Sequence, residues 1–179
     1  MNKIPVFLLL ILCISSCKTP EARKPESVST GSFINESADR NKKLFSLEQD
    51  QIEAYITNQE EKLFIPSELG FWFSKDTIQQ DSTLKTPNFG DLISYEHYIA
   101  DLNGQIIYTR EELKARDYAM DKQELFTGLR EGLKLMKAGE TYTFIFPSQK
   151  AYGYYGDENK IGANLPIVTQ VTVNSITTN

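Results

Sequence analysis

Residues 128–156, GLREGLKLMKAGETYTFIFPSQKAYGYYG, constrain the fold of this 179-residue chain more than any other stretch. Leu129, Leu133 and Met136 recur at i, i+4 and i+7 and so share one face of a short helix. Arg130, Glu131, Lys134 and Lys137 cover the other face. The two lysines sit in the last turns, where cations suit the negative end of the helix dipole. Gly139 stops the helix, because glycine takes the left-handed conformation without a Cβ clash. Tyr142, Phe144 and Phe146 then alternate with Thr141, Thr143 and Ile145, the period of a strand with one strongly apolar face. Pro147 removes a ladder donor and ends it. A helix and a strand joined this tightly, each with an apolar side, must share one core.

The flanking segments supply the rest of a sheet. Gly70-Phe71-Trp72-Phe73-Ser74 reads as a short aromatic strand, and residues 76–87 as a polar loop. In the strand 92–99, Ile93, Tyr95, His97 and Ile99 share a face. Asn103-Gly104 tolerates the positive φ of a tight hairpin turn and predicts a return strand over 105–109. Residues 111–121 are charged and read as irregular, with Tyr118 and Met120 leading back to a strand. In the last strand, 166–177, Ile167, Thr169, Val171 and Val173 point inward. The expected domain, residues 64–179, is α+β: an antiparallel sheet wrapped around one short helix.

The N-terminal part reads as an address and a spacer. Lys3 followed by the apolar run 4–14 has the make-up of a secretory signal over residues 1–16, too short to span a bilayer. Ile14-Ser15-Ser16-Cys17 resembles a bacterial lipobox, with Cys17 as the lipid-attachment residue; the alternative is an ordinary signal with an incidental cysteine. Residues 17–42 hold Pro20, Pro25 and many polar groups and are expected to be a flexible tether, unable to bury enough surface to offset its ordering entropy. A packed arm around Phe33-Ile34 is the alternative. Over 43–63 a helix is expected, with Ser46 and Gln49 as a capping box and Leu47, Ile52, Tyr55 and Ile56 as its apolar stripe. It either packs on the outside of the domain or serves as an accessory or dimerising arm. The resulting address is the bacterial cell envelope, with the domain lipid-anchored and facing the periplasm.

Composition excludes several chemistries. With one histidine and two cysteines, one of them in the signal, neither a clustered Cys/His metal site nor a disulfide framework is expected. There is no glycine-rich phosphate loop. The balance of 24 acidic to 19 basic side chains argues against a nucleic-acid surface. No cofactor is expected.

The order Gly128-x-x-Glu131-Gly132-x-x-x-Met136-x-x-Gly139-Glu140, then Pro147, then Ala151-Tyr152-Gly153, resembles the signature of FKBP-type peptidyl-prolyl isomerases. Asn88-Phe89-Gly90-Asp91 resembles the turn before that family's central hairpin, and the resemblance covers about residues 88–178. It implies an FKBP-like fold and an apolar pocket that grips a proline ring. Tyr152 then matches the rim tyrosine that hydrogen-bonds the substrate carbonyl. Leu125 and Phe126 match the aliphatic pair before the helix, and Ile161 the isoleucine of the covering loop. At four places the chain departs from the pattern. Leu129 stands for the floor tryptophan, His97 for a pocket tyrosine, Ile107-Tyr108 for a Phe-Asp pair, and Thr169 for an inward phenylalanine. The aromatic lining is therefore expected to be thinner and activity weak or narrow. His97 is expected either as a neutral, hydrogen-bonded core residue or as a pH-sensing group in the pocket.

The layout is also similar to the gliding-motility-associated FKBP-type lipoproteins of Bacteroidetes, in Tyr108-Thr109, in residues 128–132, in residues 146–156 and in the lipobox. That resemblance implies a folding role for envelope proteins, motility machinery included. The expected function is a prolyl isomerase acting on proline-containing extracytoplasmic clients. The alternatives are a non-enzymatic chaperone or scaffold with a degenerate pocket, and a structural lipoprotein with no client.

Overall fold

The alternating strand around His97 becomes the longest-paired strand of the sheet, bonded to neighbours along both edges. In the computed structural model, which describes residues 31–178, the chain runs through helix α1 (Gly31–Thr57) and strands β1 (Ile65–Pro66), β2 (Trp72–Thr77), β3 (Leu92–Ala100) and β4 (Ile106–Tyr108). Helix α2 (Arg110–Leu113), β5 (Arg116–Ala119), α3 (Thr127–Leu133), β6 (Thr141–Phe146), a 3-10 turn (Ser148–Lys150) and β7 (Ile167–Thr177) follow. The signal, Cys17 and the tether as far as residue 30 lie outside the described residues. Two compact units divide between Ala38 and Asp39. Of the first, only residues 31–38 are described, all of them helical.

All strand pairs are antiparallel, in the order β1-β2-β6-β7-β3-β4, with β5 also paired to β3. Strands β4 and β5 share one edge of β3: Ile99 faces Tyr108 toward one end, and Ile93 faces Tyr118 toward the other. Between them the chain bows outward through α2. This corrects the expectation of an irregular 111–121. Thr109 and Glu112 form a capping box, each side chain accepting from the other's backbone N–H, which is enough to nucleate one turn.

One sheet face packs on α3. Leu129, Leu133 and Met136 are buried there with Phe71, Tyr95, Ile99, Tyr142, Phe144, Phe146, Val171 and Val173. The helix is shorter than its apolar spacing predicts. It ends at Leu133, and tighter turns, Leu135 N–H to Gly132 O and Met136 N–H to Leu133 O, carry Met136 into the core. Two glycines let α3 lie directly on the rings of β6. A Cβ on Gly128 would stand 2.5 Å from Phe146 Cδ1, and one on Gly132 2.9 Å from Phe144 Cε1.

The opposite face is also covered. Ile145 and Val168, cross-strand partners, pack with Phe64 and with Ile52, Tyr55, Ile56 and Trp72. The C-terminal half of α1 therefore lies against the back of the sheet, so Ile145 is buried like its neighbours. The expected bounds of this helix need correction. It starts at Gly31 rather than near residue 43 and stops at Thr57, so Ser46 lies within the helix and does not cap it. The described part of the expected tether, residues 31–42, is helical. Its composition is poor in apolar groups, and residues 41–47 remain exposed, which fits a helix that no core surrounds there. Among the described residues no helix is long and apolar enough to cross a membrane.

Candidate functional site

The N-terminus of α3 and the segment after β6 meet at one place. Phe126 is the N-cap of α3, extended at φ −61° and ψ 142°, and its carbonyl accepts from Arg130 N–H at 3.1 Å. This extended residue turns its ring out of the helix toward Tyr152, with centroids 5.1 Å apart and planes at 44°. Phe146 meets the other side of Phe126 edge to face at 5.5 Å. Leu125, Phe126 and Tyr152 are half-buried rim residues packed on the main core. Burial, then the nearby Asp157 carboxylate, push the Tyr152 phenol up to about 12, so it is a hydrogen-bond donor at neutral pH.

Beneath the rim, Leu129 has no exposed surface. Thr169, opposite Ile99 on β3 and Phe144 on β6, is equally buried. Its hydroxyl donates to the Tyr98 carbonyl at 2.5 Å, so its polarity is satisfied inside the sheet.

His97 lies on the same face of β3 as Tyr95 and Ile99, 4% exposed, with its ring centroid 5.4 Å from that of Tyr95. Burial pulls its imidazole down to about 4, assisted by Arg116 and Arg110. The ring is thus neutral across the physiological range, and a switch between pH 5 and 8 has no basis. The expectation of a hydrogen-bonded core histidine is corrected in one respect: Nδ1 is buried without a partner.

The remaining expected residues belong to the covering loop and the edge it crosses. Ile161 is buried in the core, and its N–H donates to Asp157 Oδ1 at 2.7 Å. Ile107 and Tyr108 on β4 are half-buried. The Tyr108 hydroxyl donates to Asp157 Oδ2 at 2.5 Å and accepts from Asn159 Nδ2 at 2.9 Å, while Lys160 Nζ lies 4.8 Å from its ring centre. Lys160 also pairs with Glu112 at the end of β4's connection, at 2.5 Å. At the position where the family signature has the Asp of a Phe-Asp pair, Tyr108 latches the loop. Burial opposes ionisation of Asp157, but the hydrogen bonds from Tyr108 and from the Ile161 and Asn159 N–H groups outweigh it and hold the carboxyl below its ordinary range. In the same loop Gly156, at φ +69°, admits no side chain, since a Cβ would stand 2.0 Å from the Ile161 carbonyl oxygen.

The family resemblance grouped Phe126, Tyr152, Leu125, Leu129 and Ile161, and all five lie in or against the main core cluster. It missed Asp157, Asn159 and Lys160, for which the Asp-x-Asn turn pattern was the available signal. It also missed Tyr118, which is buried in the same core. Among the described residues no cluster of His, Cys, Asp and Glu could hold a metal ion. The site presents the ring of Phe126 and the hydrogen-bond-donating hydroxyl of Tyr152, and nothing in it is an activated nucleophile.

A sequence model of the family described as FKBP-type peptidyl-prolyl cis-trans isomerase matches residues 84–174. No curated protein matches the chain. Among solved structures, it is similar to a peptidyl-prolyl cis-trans isomerase from Pseudomonas syringae pathovar tomato, with a TM-score of 0.60 and 15% identity over 76% of this chain and 96% of that one. It is similar as well to FkpA from Escherichia coli, with a TM-score of 0.59 and 16% identity over 99% of this chain and 83% of that one. At these identities the structural likenesses concern the fold alone.

Proposed function

The chain belongs to the FKBP-type peptidyl-prolyl cis-trans isomerase family, and from that premise we propose that it isomerises X-Pro bonds in proteins of the bacterial cell envelope, held at the periplasmic side of a membrane by a lipid on Cys17. The observation that carries the reading is the Phe126–Tyr152 ring pair, packed against the core cluster that holds Leu129. Rotation about an X-Pro bond is slow because amide resonance must be broken. The twisted amide has lost that resonance and with it part of its carbonyl polarity. Apolar walls that fit the twisted form therefore bind it better than the planar one and lower the barrier without covalent chemistry. In this scheme Phe126 and Leu129 hold the ring, and the Tyr152 hydroxyl holds a substrate carbonyl in register. Gliding-motility machinery is proposed among the clients on the strength of residues 128–132 and 146–156 and the lipobox sequence.

Complete burial of Leu129 and Thr169 favours a second reading, in which the rim holds exposed apolar segments of unfolded clients without twisting a proline. A protease-coupled assay on a proline tetrapeptide separates the two. The isomerase reading expects acceleration that falls about tenfold in Tyr152→Phe, the worth of one good hydrogen bond. An unaccelerated peptide, with aggregation of an unfolded client suppressed, supports the second reading instead.

A further inference from the structure

The helix behind the sheet reaches the segment that carries Tyr152 through one buried side chain. Glu48, on α1, is 8% exposed although glutamate is almost never buried without partners. Its partners both belong to Ser148: the backbone N–H donates to Oε2 at 3.0 Å and the hydroxyl to Oε1 at 2.6 Å. Ser148 opens the 3-10 turn after Pro147, and no side chain of the turn itself caps that N-terminus. Glu48 supplies the missing cap from a hundred residues away.

The turn so held is what places Tyr152. The Ser148 carbonyl accepts from Ala151 N–H at 3.0 Å and from Gly153 N–H at 2.8 Å, bracketing Tyr152 on both sides. The carbonyl of Lys150, the turn's last residue, lies 2.8 Å from where a Gly128 Cβ would stand, so the turn sits directly on the start of α3 beside Phe126. A shift of Ser148 would therefore move Tyr152 relative to Phe126, the two rings that form the rim.

We infer that Glu48 is a positioning residue for the active site, and that α1 serves the reaction through it by fixing the 3-10 turn that sets Tyr152 against Phe126. This inference rests on the isomerase reading for its kinetic consequence but not for its structural one. The neutral amide of Glu48→Gln would keep an acceptor for the Ser148 N–H and a partner for its hydroxyl, whereas alanine leaves both buried donors unpaired.

The test compares full-length parent, Glu48→Ala, Glu48→Gln, Ser148→Ala and the surface control Asp50→Ala. It follows amide hydrogen exchange at Ala151 and Gly153 together with isomerase kinetics on a proline tetrapeptide. Glu48→Ala is expected to speed exchange at those two amides about tenfold and to raise KM, with Glu48→Gln restoring most of both and Asp50→Ala changing neither. Combining Glu48→Ala with Tyr152→Phe is expected to cost little beyond Tyr152→Phe alone, because the two changes remove the same contact. Unchanged exchange in Glu48→Ala, or fully additive kinetic losses with KM constant, overturns the inference. If Glu48→Ala does not fold, Ser148→Ala, which removes the hydroxyl bond and keeps the backbone one, is expected to move exchange and KM in the same direction by a smaller factor, and unchanged values of both overturn the inference. A parent with no isomerase activity defeats the isomerase reading, and the exchange measurements then decide the Glu48 coupling by themselves.

Discussion

His97 is the residue at which charge and burial conflict most directly. Its imidazole, brought down to about 4 by burial and then by Arg116 and Arg110, titrates near 6.5 once unfolded. Between those values the unfolded chain binds the extra proton, so stability falls as pH drops from 6.5 toward 4 and is fully present above 6.5. The contribution is on the order of 3 kcal/mol. Comparing urea unfolding of the parent and of His97→Phe across that window isolates it from titrating carboxylates, and parallel curves would remove His97 as their cause. Leu129 poses the opposite question, of volume. The family signature has tryptophan here, but this leucine is already sealed beneath the rim. Leu129→Trp is expected to cost about 1–3 kcal/mol by overpacking, read from the shift in denaturation midpoint. A tryptophan accepted without loss would mean that the core around Leu129 can open to admit the larger ring.

At the scale of elements, the two faces of the sheet set different tasks. Gly128 and Gly132 bring α3 onto Phe146 and Phe144, and this face carries the site. Its pattern was legible because α3 and β6 are adjacent in the chain and each shows its own period. The reverse face was legible in part. The stripe Ile52, Tyr55 and Ile56 announced a helix with a side to bury, but only the tertiary structure shows that it covers Ile145 and Val168. Ile52→Ala is expected to destabilise the protein by about 2–4 kcal/mol, measured by chemical denaturation, since it empties a fully buried site between α1 and the sheet. A loss under about half a kilocalorie, the ordinary surface value, would show that α1 is not held by this contact. The loop after Tyr152 belongs at this scale too: its latch to β4 joins Tyr108 to Asp157, 49 residues apart, and to Asn159, 51 apart, pairs that no local pattern announces.

For the whole molecule, the proposed lipid anchor and the folded domain are separable. Cys17→Ala is expected to move the protein from the membrane to the soluble fraction while leaving peptide isomerisation by the purified domain unchanged. Retention in the membrane fraction would require another means of attachment. The sequence by itself determined the antiparallel α+β architecture, the helix–strand unit at its centre and the company of Leu125, Phe126, Leu129, Tyr152 and Ile161. The architecture and the helix–strand unit rest on periodicity, turn chemistry and glycine spacing expressed within a few residues of one another, and the grouping of those five residues rests on the resemblance of residues 88–178 to the family signature. Only the tertiary structure decided that His97 is buried with an unpartnered nitrogen, that Tyr108 closes the covering loop, and that Glu48 caps the turn leading to Tyr152. Each of these depends on which distant group fills the last hydrogen-bonding position or excludes the last water, and that partner is chosen by packing rather than by neighbours in the chain.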